Sequence, residues 1–348
     1  MHFTELNHDG QLRQLEKRVA QAIAGYPLYG VRYRLLQYED NAVYRLTDGD
    51  GKDYVLRLGA LAGHDSARQL SEMKWLEWLG SKAKFPVPLP VVNCDGQLVT
   101  DLPTADPSEP HLAVVLRWVE GEHPSPPIEP TFFSQLGEIT GHMHLLATHF
   151  SVPVGFVRPS WDWHQLFGPF SVFESRLSGG GSLEVSSVPL EDAQLNILAS
   201  VRNVLLNDLH KLRSSEDAWG LIHGDLHRDN ILIHDGETGV IDFDDCGWGF
   251  FLYDVASVLD STYRRLARNL GEYQQLRDAY LTSYDRIRPL PTTTSAQLMI
   301  FKAMRDLVTL NFILSSTNSE VLAWGPPRVQ SIMEQLNAYL DGSSRFCI

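Results

Sequence analysis

The chain has 348 residues, 43% of them hydrophobic, and its 43 acidic against 29 basic side chains leave a formal net charge of −14. This length exceeds that of one ordinary compact unit, so we expect two domains, and the acidic balance opposes binding to the phosphates of DNA or RNA. The three distant cysteines form no disulfide or metal pattern, and no segment resembles a signal peptide or a membrane-spanning helix of about 20 apolar residues, so we expect a cytoplasmic protein without a membrane partner.

The first part of the chain, residues 1–119, has the pattern of an antiparallel sheet combined with helices. An Asp-Gly-Asp-Gly turn at 48–51 lies between two alternating segments, which is typical of a hairpin. Apolar residues at helical spacing predict one helix before these strands and another after them. The predicted elements are a helix at 11–24, strands at 31–38, 41–46 and 54–58, a helix at 66–79, a hairpin at 88–102 and a buried strand at 111–119.

The second part, residues 120–348, begins with a proline-rich segment at 120–130 that interrupts regular structure. After it the pattern is mostly helical, and the GGGS sequence at 179–182 predicts a flexible loop. The predicted elements are helices at 132–146, 190–213, 251–285 and 295–340, with a short strand pair at 231–233 and 239–243. We therefore predict an α+β protein with two domains, at 1–119 and 120–348.

Residues 221–245, LIHGDLHRDNILIHDGETGVIDFDD, place three polar side chains at the edges of short apolar strands. Asp225 precedes Asn230 with four residues between them, and Asp242 follows the second strand. Phosphoryl transfer requires such a set, because one aspartate must orient the attacking hydroxyl while an amide and another carboxylate supply hard oxygen ligands for magnesium. The interval from Asp225 to Asn230 is that of the protein-kinase catalytic loop.

HGDLHRDN, with Asp242 twelve residues after Asn230, resembles the aminoglycoside phosphotransferase and choline-kinase-like superfamily, which has a protein-kinase-like bilobal fold. The resemblance extends over the whole chain in layout and over residues 221–260 in motif. It implies that Asp225 is the catalytic base and that Asn230 and Asp242 are ligands of Mg²⁺. It also implies that His227 helps to neutralise the transferred phosphate.

The same resemblance implies that the first domain is a small antiparallel-sheet lobe that binds ATP or GTP, and that the second is a mostly helical lobe with the catalytic loop and the acceptor site. In the YVLRL strand, Arg57 takes the position of the nucleotide-clamping lysine, with Glu72 on the following helix as its partner. Val55, on the same strand face, is suited to contact the adenine, as is the backbone of Trp118 and Val119. The glycine-rich loop of protein kinases is absent, since the turn between the first strands is YEDNA.

The segment after Asp242 is short and lacks the long activation loop and the Ala-Pro-Glu sequence of protein kinases, which favours a small-molecule acceptor. Between Asp242 and Asp260 there are five aspartates and no lysine or arginine, which favours an acceptor with an amine. The candidate acceptor contacts are Asp244, Asp245, Trp161, Asp162 and Arg305. An aminoglycoside, an amino alcohol such as homoserine or choline, and a related metabolite all stay open as acceptors.

Two other functions stay open on the same fold. The DFDDC sequence also resembles that of stress-response Ser/Thr protein kinases, and the missing glycine-rich loop together with Arg57 is compatible with a catalytically weak, pseudokinase-like nucleotide-binding module. His223 is expected to be structural, and a zinc pair of His223 and His227 would need a helix that Gly224 disfavours. Asp254 is expected to be a structural acid near a helix start.

Overall fold

The computed structural model describes residues 2–38, 41–59, 66–104, 106, 109–168, 188–212, 218–266, 269–316 and 319–347. The predicted GGGS loop and residues 39–40 of the YEDNA turn lie outside this part of the chain. The chain divides into two compact units. The first comprises Met1–His123, Phe150–Arg158 and Ile231–Asp244, and the second comprises Pro124–His149, Pro159–Asn230 and Asp245–Ile348.

The first unit is built on a six-stranded antiparallel sheet with two long helices. The strands are β1 (Arg32–Tyr38), β2 (Asn41–Thr47), β3 (Asp53–Gly59), β4 (Pro90–Val91), β5 (Thr100–Asp101) and β6 (Leu112–Arg117). The helices are α1 (His8–Ala24) and α2 (Ser66–Lys82). The strand order is β1, β2, β3, β6, β4, and β5 also pairs with β6.

The core of this unit lies where α1 covers the sheet. Leu15, Val19 and Ala22 form the apolar stripe of α1 and pack in one cluster with Tyr44 and Leu46 of β2. Burying each of the larger aliphatic side chains, Leu15, Val19 and Leu46, contributes roughly 1.5–3 kcal/mol to folding. The periodicity of this stripe is the feature from which the sequence predicts the helix.

The sequence predicts a hairpin at 88–102, but the two strands of this segment do not pair with each other. β4 pairs with Leu116 and Val115 of β6, and β5 pairs farther along the same strand with Ala113 and Leu112. The turn itself is present: the N–H of Asn93 donates to the carbonyl of Gln97 at 2.8 Å, and the side-chain oxygen of Asn93 accepts hydrogen bonds from two backbone N–H groups of the turn.

A second hairpin in the first unit consists of β8 (Ile231–His234) and β9 (Glu237–Val240). It belongs to this unit because Ile233 exchanges two backbone hydrogen bonds with Glu122. Gly121 permits the approach, since its φ is +136° and a Cβ there would lie 2.8 Å from the carbonyl oxygen of Ile233. The end of β9, and Asp242 and Asp244 after it, belong to the first unit.

The second unit is mostly helical and contains one short antiparallel pair, which the sequence did not predict. The pair is β7 (Trp219–Ile222) with β10 (Gly247–Phe250). The helices are α3 (Pro130–Thr148), α4 (Trp163–Phe167), α5 (Asp192–Leu212), α6 (Phe251–Leu266), α7 (Leu270–Ile287), α8 (Thr294–Ser315) and α9 (Ser319–Leu340).

Each of the two long helices predicted at 251–285 and 295–340 is a pair of helices. The first pair separates where Asn269 caps α7, its side chain accepting a hydrogen bond from the backbone N–H of Glu272. The α+β fold class is confirmed. No helix in the described ranges is both long enough and apolar enough to cross a membrane.

Candidate active site

The predicted catalytic loop lies in the second unit, follows β7 and turns sharply at Gly224. This glycine has a φ of +84°, and a Cβ there would lie 2.4 Å from the carbonyl oxygen of Asp245. Only glycine fits this backbone, which accounts for the HGD sequence. The turn carries Asp225 out of the strand with its side chain half-buried.

A buried carboxylate, that of Asp254 on α6, holds the backbone of this turn. Its two oxygens accept hydrogen bonds from the N–H groups of His223 at 2.7 Å and of Gly224 at 3.0 Å. Such charge-assisted bonds are about twice as strong as neutral ones. The sequence placed Asp254 near a helix start and did not connect it with the catalytic loop.

His144 on α3 completes the support of Asp254. Its Nε2 lies 3.1 Å from a carboxylate oxygen of Asp254, and its Nδ1 lies 2.9 Å from the hydroxyl of Tyr284. Because the carboxylate can only accept, Nε2 carries the proton, and the tyrosine hydroxyl donates to Nδ1 of a neutral ring. Burial lowers the pKa of His144 despite the opposing effect of Asp254, so the ring stays neutral.

The carboxylate of Asp225 is held on both oxygens. Arg305 on α8 forms an ion pair with Oδ1 and donates another hydrogen bond to the carbonyl of Gly224 at 3.3 Å. His227 Nε2 lies 3.1 Å from Oδ2. Burial opposes the charged form of Asp225, but Arg305 and then His227 outweigh it and lower the pKa of this carboxyl group below its ordinary value. Asp225 is therefore ionised at neutral pH.

Asn230 ends a short 3₁₀ turn, Arg228–Asn230, on the same loop. Its side-chain Nδ2 donates a hydrogen bond of 3.0 Å to the backbone carbonyl of Asp225. This bond fixes the orientation of the amide and leaves its oxygen as the ligand atom for a cation. The loop thus supplies one fixed carboxylate and one fixed amide oxygen.

In the first unit, Arg57 of β3 and Glu72 of α2 form a buried ion pair. Nη1 donates to Oε1 at 2.9 Å, and Nη2 contacts the other carboxylate oxygen, so the pair is bidentate. Burial opposes the charge of Arg57, but Glu72, Asp244 and Asp242 raise the pKa of the guanidinium. Arg57 and Glu72 therefore form the expected ion pair, and the carboxylates of Asp244 and Asp242 also stabilise the charge of Arg57.

Asp242 and Asp244, which follow β9, differ in their surroundings. Asp242 is exposed and has a φ of 65°, a left-handed conformation that is uncommon outside glycine. Asp244 is half-buried, and its Oδ2 accepts a hydrogen bond of 2.8 Å from Asn41 Nδ2 at the start of β2. Its backbone carbonyl accepts a hydrogen bond from Arg158. Asp244, predicted to contact the acceptor, is engaged with residues of the first unit.

The residues expected around the adenine lie on and beside the strands of the first unit. Val55 of β3 pairs with Leu116 and is half-buried. The N–H of Trp118 donates to the carbonyl of Asp53 at 3.3 Å, so it is occupied within the sheet. Val119 is buried. The structure places these residues together without assigning them a ligand.

The other expected acceptor contacts lie in the second unit. Trp161 is buried, and its indole N–H donates to the backbone carbonyl of Asp245 at 2.9 Å. A Cβ on Gly224 would lie 2.8 Å from the indole ring of Trp161, so this ring packs directly against the turn at Gly224. Asp162 caps α4 by accepting a hydrogen bond from the N–H of Gln165. The side chain of Asp245 is exposed.

No group of three or more His, Cys, Asp or Glu side chains able to hold a metal ion occurs in the part of the chain that the structure describes. The predicted magnesium ligands, one amide and one carboxylate, are of the oxygen type that Mg²⁺ prefers. Mg²⁺ in kinase sites takes its remaining ligands from waters and substrate phosphates, so this small protein donor set is compatible with the ion.

The sheet with its buried arginine–glutamate pair, the helical second unit and the HGD loop together define the class of the protein. The chain belongs to the phosphotransferase enzyme family, which it matches over residues 34–290. The predicted superfamily and the predicted enzyme class, a kinase with an alcohol acceptor, are thereby confirmed.

Three relatives illustrate the likeness. Amicoumacin kinase of Bacillus subtilis (strain 168) is 28% identical over 249 residues, 70% of this chain and 67% of the relative. Homoserine kinase of Methylobacillus glycogenes is 27% identical over 285 residues, 80% of this chain and 76% of the relative. A microcompartment-associated aminopropanol kinase of known structure has a TM-score of 0.77 at 27% identity, covering 94% of this chain and 98% of the other.

Proposed function

We propose that this enzyme transfers the γ-phosphate of ATP or GTP to a hydroxyl group of a small molecule that also carries an amine. The observation that carries the proposal is the carboxylate of Asp225, which Arg305 and His227 hold on a loop anchored by buried Asp254. A fixed, ionised carboxylate on such a loop is suited to accept a hydrogen bond from an attacking hydroxyl.

Asp225 acts mainly by orientation. Its lowered pKa makes it a weak base, so it takes the proton of the hydroxyl late, after most of the bond to the leaving group has broken. The loose transition state of phosphoryl transfer asks little of a base, and positioning supplies much of the rate. Each carboxylate oxygen has two acceptor positions, which leaves room for the hydroxyl beside Arg305 and His227.

The remaining polar residues are proposed to bind the phosphates of the nucleotide. Arg57, oriented by Glu72, would contact the phosphates as a fixed cation, and the amide oxygen of Asn230 and the carboxylate of Asp242 would hold Mg²⁺. A bound magnesium ion neutralises charge on the phosphates. His227, through its imidazole, lies close enough to Asp225 to act on the same transferred group. Val55, Trp118 and Val119 form the contacts to the base.

The amine in the proposed acceptor is supported by charge and by the relatives. Of the five aspartates from Asp242 to Asp260, Asp245 is exposed, whereas Asp254 is buried at the loop anchor and Asp260 is buried beside Lys302, so Asp245 is the carboxylate assigned to the amine. The names of two relatives refer to aminopropanol and homoserine, both of which are amino alcohols. Asp245, Asp162, Trp161 and Arg305 are the proposed acceptor-side residues. Asp244, held by Asn41, is assigned to the nucleotide side instead.

A nucleotide-consumption screen tests the proposal. Aminopropanol, homoserine, choline, aminoglycosides, macrolides and sugars are each incubated with ATP or GTP, and each amino alcohol is paired with the same alcohol lacking its amine. We expect acceptor-dependent consumption that requires Mg²⁺ and falls sharply when the amine is removed. The Asp225→Asn variant, purified identically, identifies any contaminating activity.

The same screen separates the alternative of a Ser/Thr protein kinase. Labelling of a generic protein substrate without turnover of any small acceptor would replace the proposal with that alternative. The segment from Asp242 to the start of α6 at Phe251 leaves little room for a peptide platform, which is why the small molecule is preferred.

A further inference from the structure

Asn41, the first residue of β2, lies on the face of the sheet that carries Arg57. Val43 pairs directly with Arg57 across β2 and β3, and side chains two residues apart on a strand share a face. The opposite face, which carries Tyr44 and Leu46, packs under α1. Asn41 is buried, with 7% of its surface exposed. A buried amide thus shares a face with the cation proposed to bind the phosphates.

The side chain of Asn41 holds the carboxylate of Asp244. Its Nδ2 donates a hydrogen bond of 2.8 Å to Oδ2 of Asp244, which lies 203 positions later in the chain. Arg158 donates to the backbone carbonyl of Asp244 and, at 3.1 Å, to the backbone carbonyl of Arg68. Asp244 is therefore fixed through its side chain by β2 and through its backbone by Arg158. The bond from Asn41 is of the stronger kind, because its acceptor is ionised.

Asp242 lies midway between Asp244 and a second fixed point. The N–H of Val240, the last residue of β9, donates to the carbonyl of Pro86 at 3.0 Å. Asp242 is two residues from each of these anchors, and its carboxylate is exposed. A span of this length that is held at both ends has few backbone conformations left to lose when an ion binds. The anchor at Asp244 therefore restricts where Asp242 places its carboxylate.

Asp244 also acts on the cation of the same sheet face. After Glu72, Asp244 is the carboxylate that most raises the pKa of Arg57, so its negative charge stabilises the guanidinium. One hydrogen bond from Asn41 thus restrains a carboxylate that influences both the proposed metal ligand and the proposed phosphate ligand of the first unit.

We propose that Asn41 is a positioning residue for the phosphates of the nucleotide. Through its hydrogen bond to Asp244, it keeps Asp242 and Arg57 in the arrangement that binds a magnesium–nucleotide complex. This inference rests on the proposed function, since it concerns the same nucleotide site. Because Asn41 acts through Asp244, its loss weakens the binding of phosphates and magnesium and leaves the binding of the base unchanged.

Calorimetry on the full chain tests the inference with AMP-PNP and GMP-PNP, each with and without Mg²⁺, and with adenosine and guanosine. We expect the wild type to bind one of the two triphosphate analogues more tightly with Mg²⁺ than without it. In Asn41→Ala, the dissociation constant of that analogue with Mg²⁺ should rise by about tenfold, while that of the matching nucleoside should change by less than about twofold. A general distortion of the unit would weaken both ligands alike.

Exchanging the amide and the carboxylate tests the contact itself. Asn41→Asp sets two carboxylates against each other, so it should weaken binding of the magnesium–nucleotide complex more than Asn41→Ala does. In the double variant of Asn41→Asp with Asp244→Asn, the hydrogen bond can form again with donor and acceptor reversed. We expect the double variant to bind the complex at least about tenfold more tightly than Asn41→Asp alone.

Tyr38→Phe is the control for this part of the sheet. It removes the hydrogen bond of 2.9 Å from Tyr38 to Gln11, on the face that packs under α1, and should change neither dissociation constant by more than about twofold. A wild type that binds neither analogue would overturn the proposed function and this inference with it. This inference alone is overturned if the wild type binds an analogue and Asn41→Ala binds it equally well, if Asn41→Ala loses the nucleoside to the same degree, or if the double variant binds no better than Asn41→Asp.

Discussion

The loop that carries Asp225 and the segment that carries Asp242 provide the two carboxylates of the proposed site in different ways. Asp225 is held through its side chain, by Arg305 on one oxygen and His227 on the other. Asp242 has an exposed carboxylate at the end of a hairpin, a backbone φ of 65° and an electrostatic influence on Arg57. A carboxylate that must orient a hydroxyl benefits from rigid partners, whereas one that ligates an ion must remain accessible to it.

Replacing Asp225, whose carboxylate is held by Arg305 and His227, should have the largest effect on turnover. Asp225→Asn keeps the shape of the side chain but removes the charge that orients the hydroxyl, so we expect turnover to fall by about 10²–10⁴. The control is Asp235→Asn, since Asp235 is exposed in the turn between β8 and β9 and its carboxylate lies 3.5 Å from His234 Nε2, away from the partners of Asp225. The turnover of both variants is measured from initial rates with the best acceptor. Similar rates in the two variants would remove Asp225 from its proposed role.

Loss of Arg305, the ion-pair partner of Asp225, should lower turnover by a smaller factor and should also change the dependence of the rate on pH. Arg305→Gln removes the cation that lowers the pKa of Asp225, so that pKa rises towards its ordinary value. We expect turnover to fall by about 10–10² and the acid limb of the rate profile to move to higher pH.

Arg305→Lys retains the charge and should return the acid limb towards its wild-type position, although one flexible ammonium replaces a fork of donors. Both variants are assayed with saturating nucleotide over the full accessible pH range. An acid limb that does not move in Arg305→Gln would show that Arg305 affects turnover without setting the charge of Asp225.

The contrast between the two carboxylates also explains what the sequence could predict. The Asp225, Asn230 and Asp242 intervals, the strands around them and the Arg57–Glu72 partnership all follow local patterns within a hairpin or between adjacent elements. The residues that hold Asp225 and the loop lie far away in sequence. Arg305 is 80 positions from Asp225, and His144 is 110 positions from Asp254.

Distant partners of this kind leave no spacing pattern in one sequence, because tertiary packing alone brings them together. Arg305 was expected near the acceptor only by its position, and its ion pair with Asp225 was not foreseen. Asp244 was expected to face the acceptor, and its bond to Asn41 joins residues 203 positions apart. The strands predicted at 88–102 differ from the structure for a related reason, since both pair with β6, a strand that comes later in the chain.

On the side of the nucleotide, Arg57→Lys tests the bidentate pair. A lysine keeps the charge but cannot donate two parallel hydrogen bonds to Glu72, so the cation loses its fixed direction. We expect the KM for nucleotide to rise by about tenfold, equivalent to ~1.4 kcal/mol and close to the lower end of what a hydrogen bond to a charged group contributes, with a smaller change in turnover. Arg18→Lys is the control, because Arg18 forms a buried ion pair with Glu109 in the same unit and is not among the residues proposed to bind the nucleotide. Equal KM values for the two variants would exclude the phosphate contact proposed for Arg57.

The smallest expected effect concerns the stability of the loop anchor at mildly acid pH. Burial lowers the pKa of His144 below its ordinary value of 6.5. On acidification the unfolded chain therefore binds this proton first. The contribution of His144 to the free energy of unfolding is fully present above pH 6.5. It is lost as the pH falls from 6.5 towards the pKa of His144 in the folded state, with a slope of at most about 1.4 kcal/mol per pH unit. Asp225, whose pKa also lies below its ordinary value of 3.8, loses its contribution only at more acid pH.

His144→Gln isolates this contribution, because the amide can donate to Asp254 and accept from Tyr284 without titrating. We expect the free energy of unfolding, measured with urea at several pH values around neutrality and below, to fall less steeply with acid in the variant than in the wild type. His234→Gln, at an exposed histidine, controls for the loss of a histidine as such. If the wild type and His144→Gln lose stability in parallel, the buried ring is not the group that makes the anchor of Asp254 sensitive to pH.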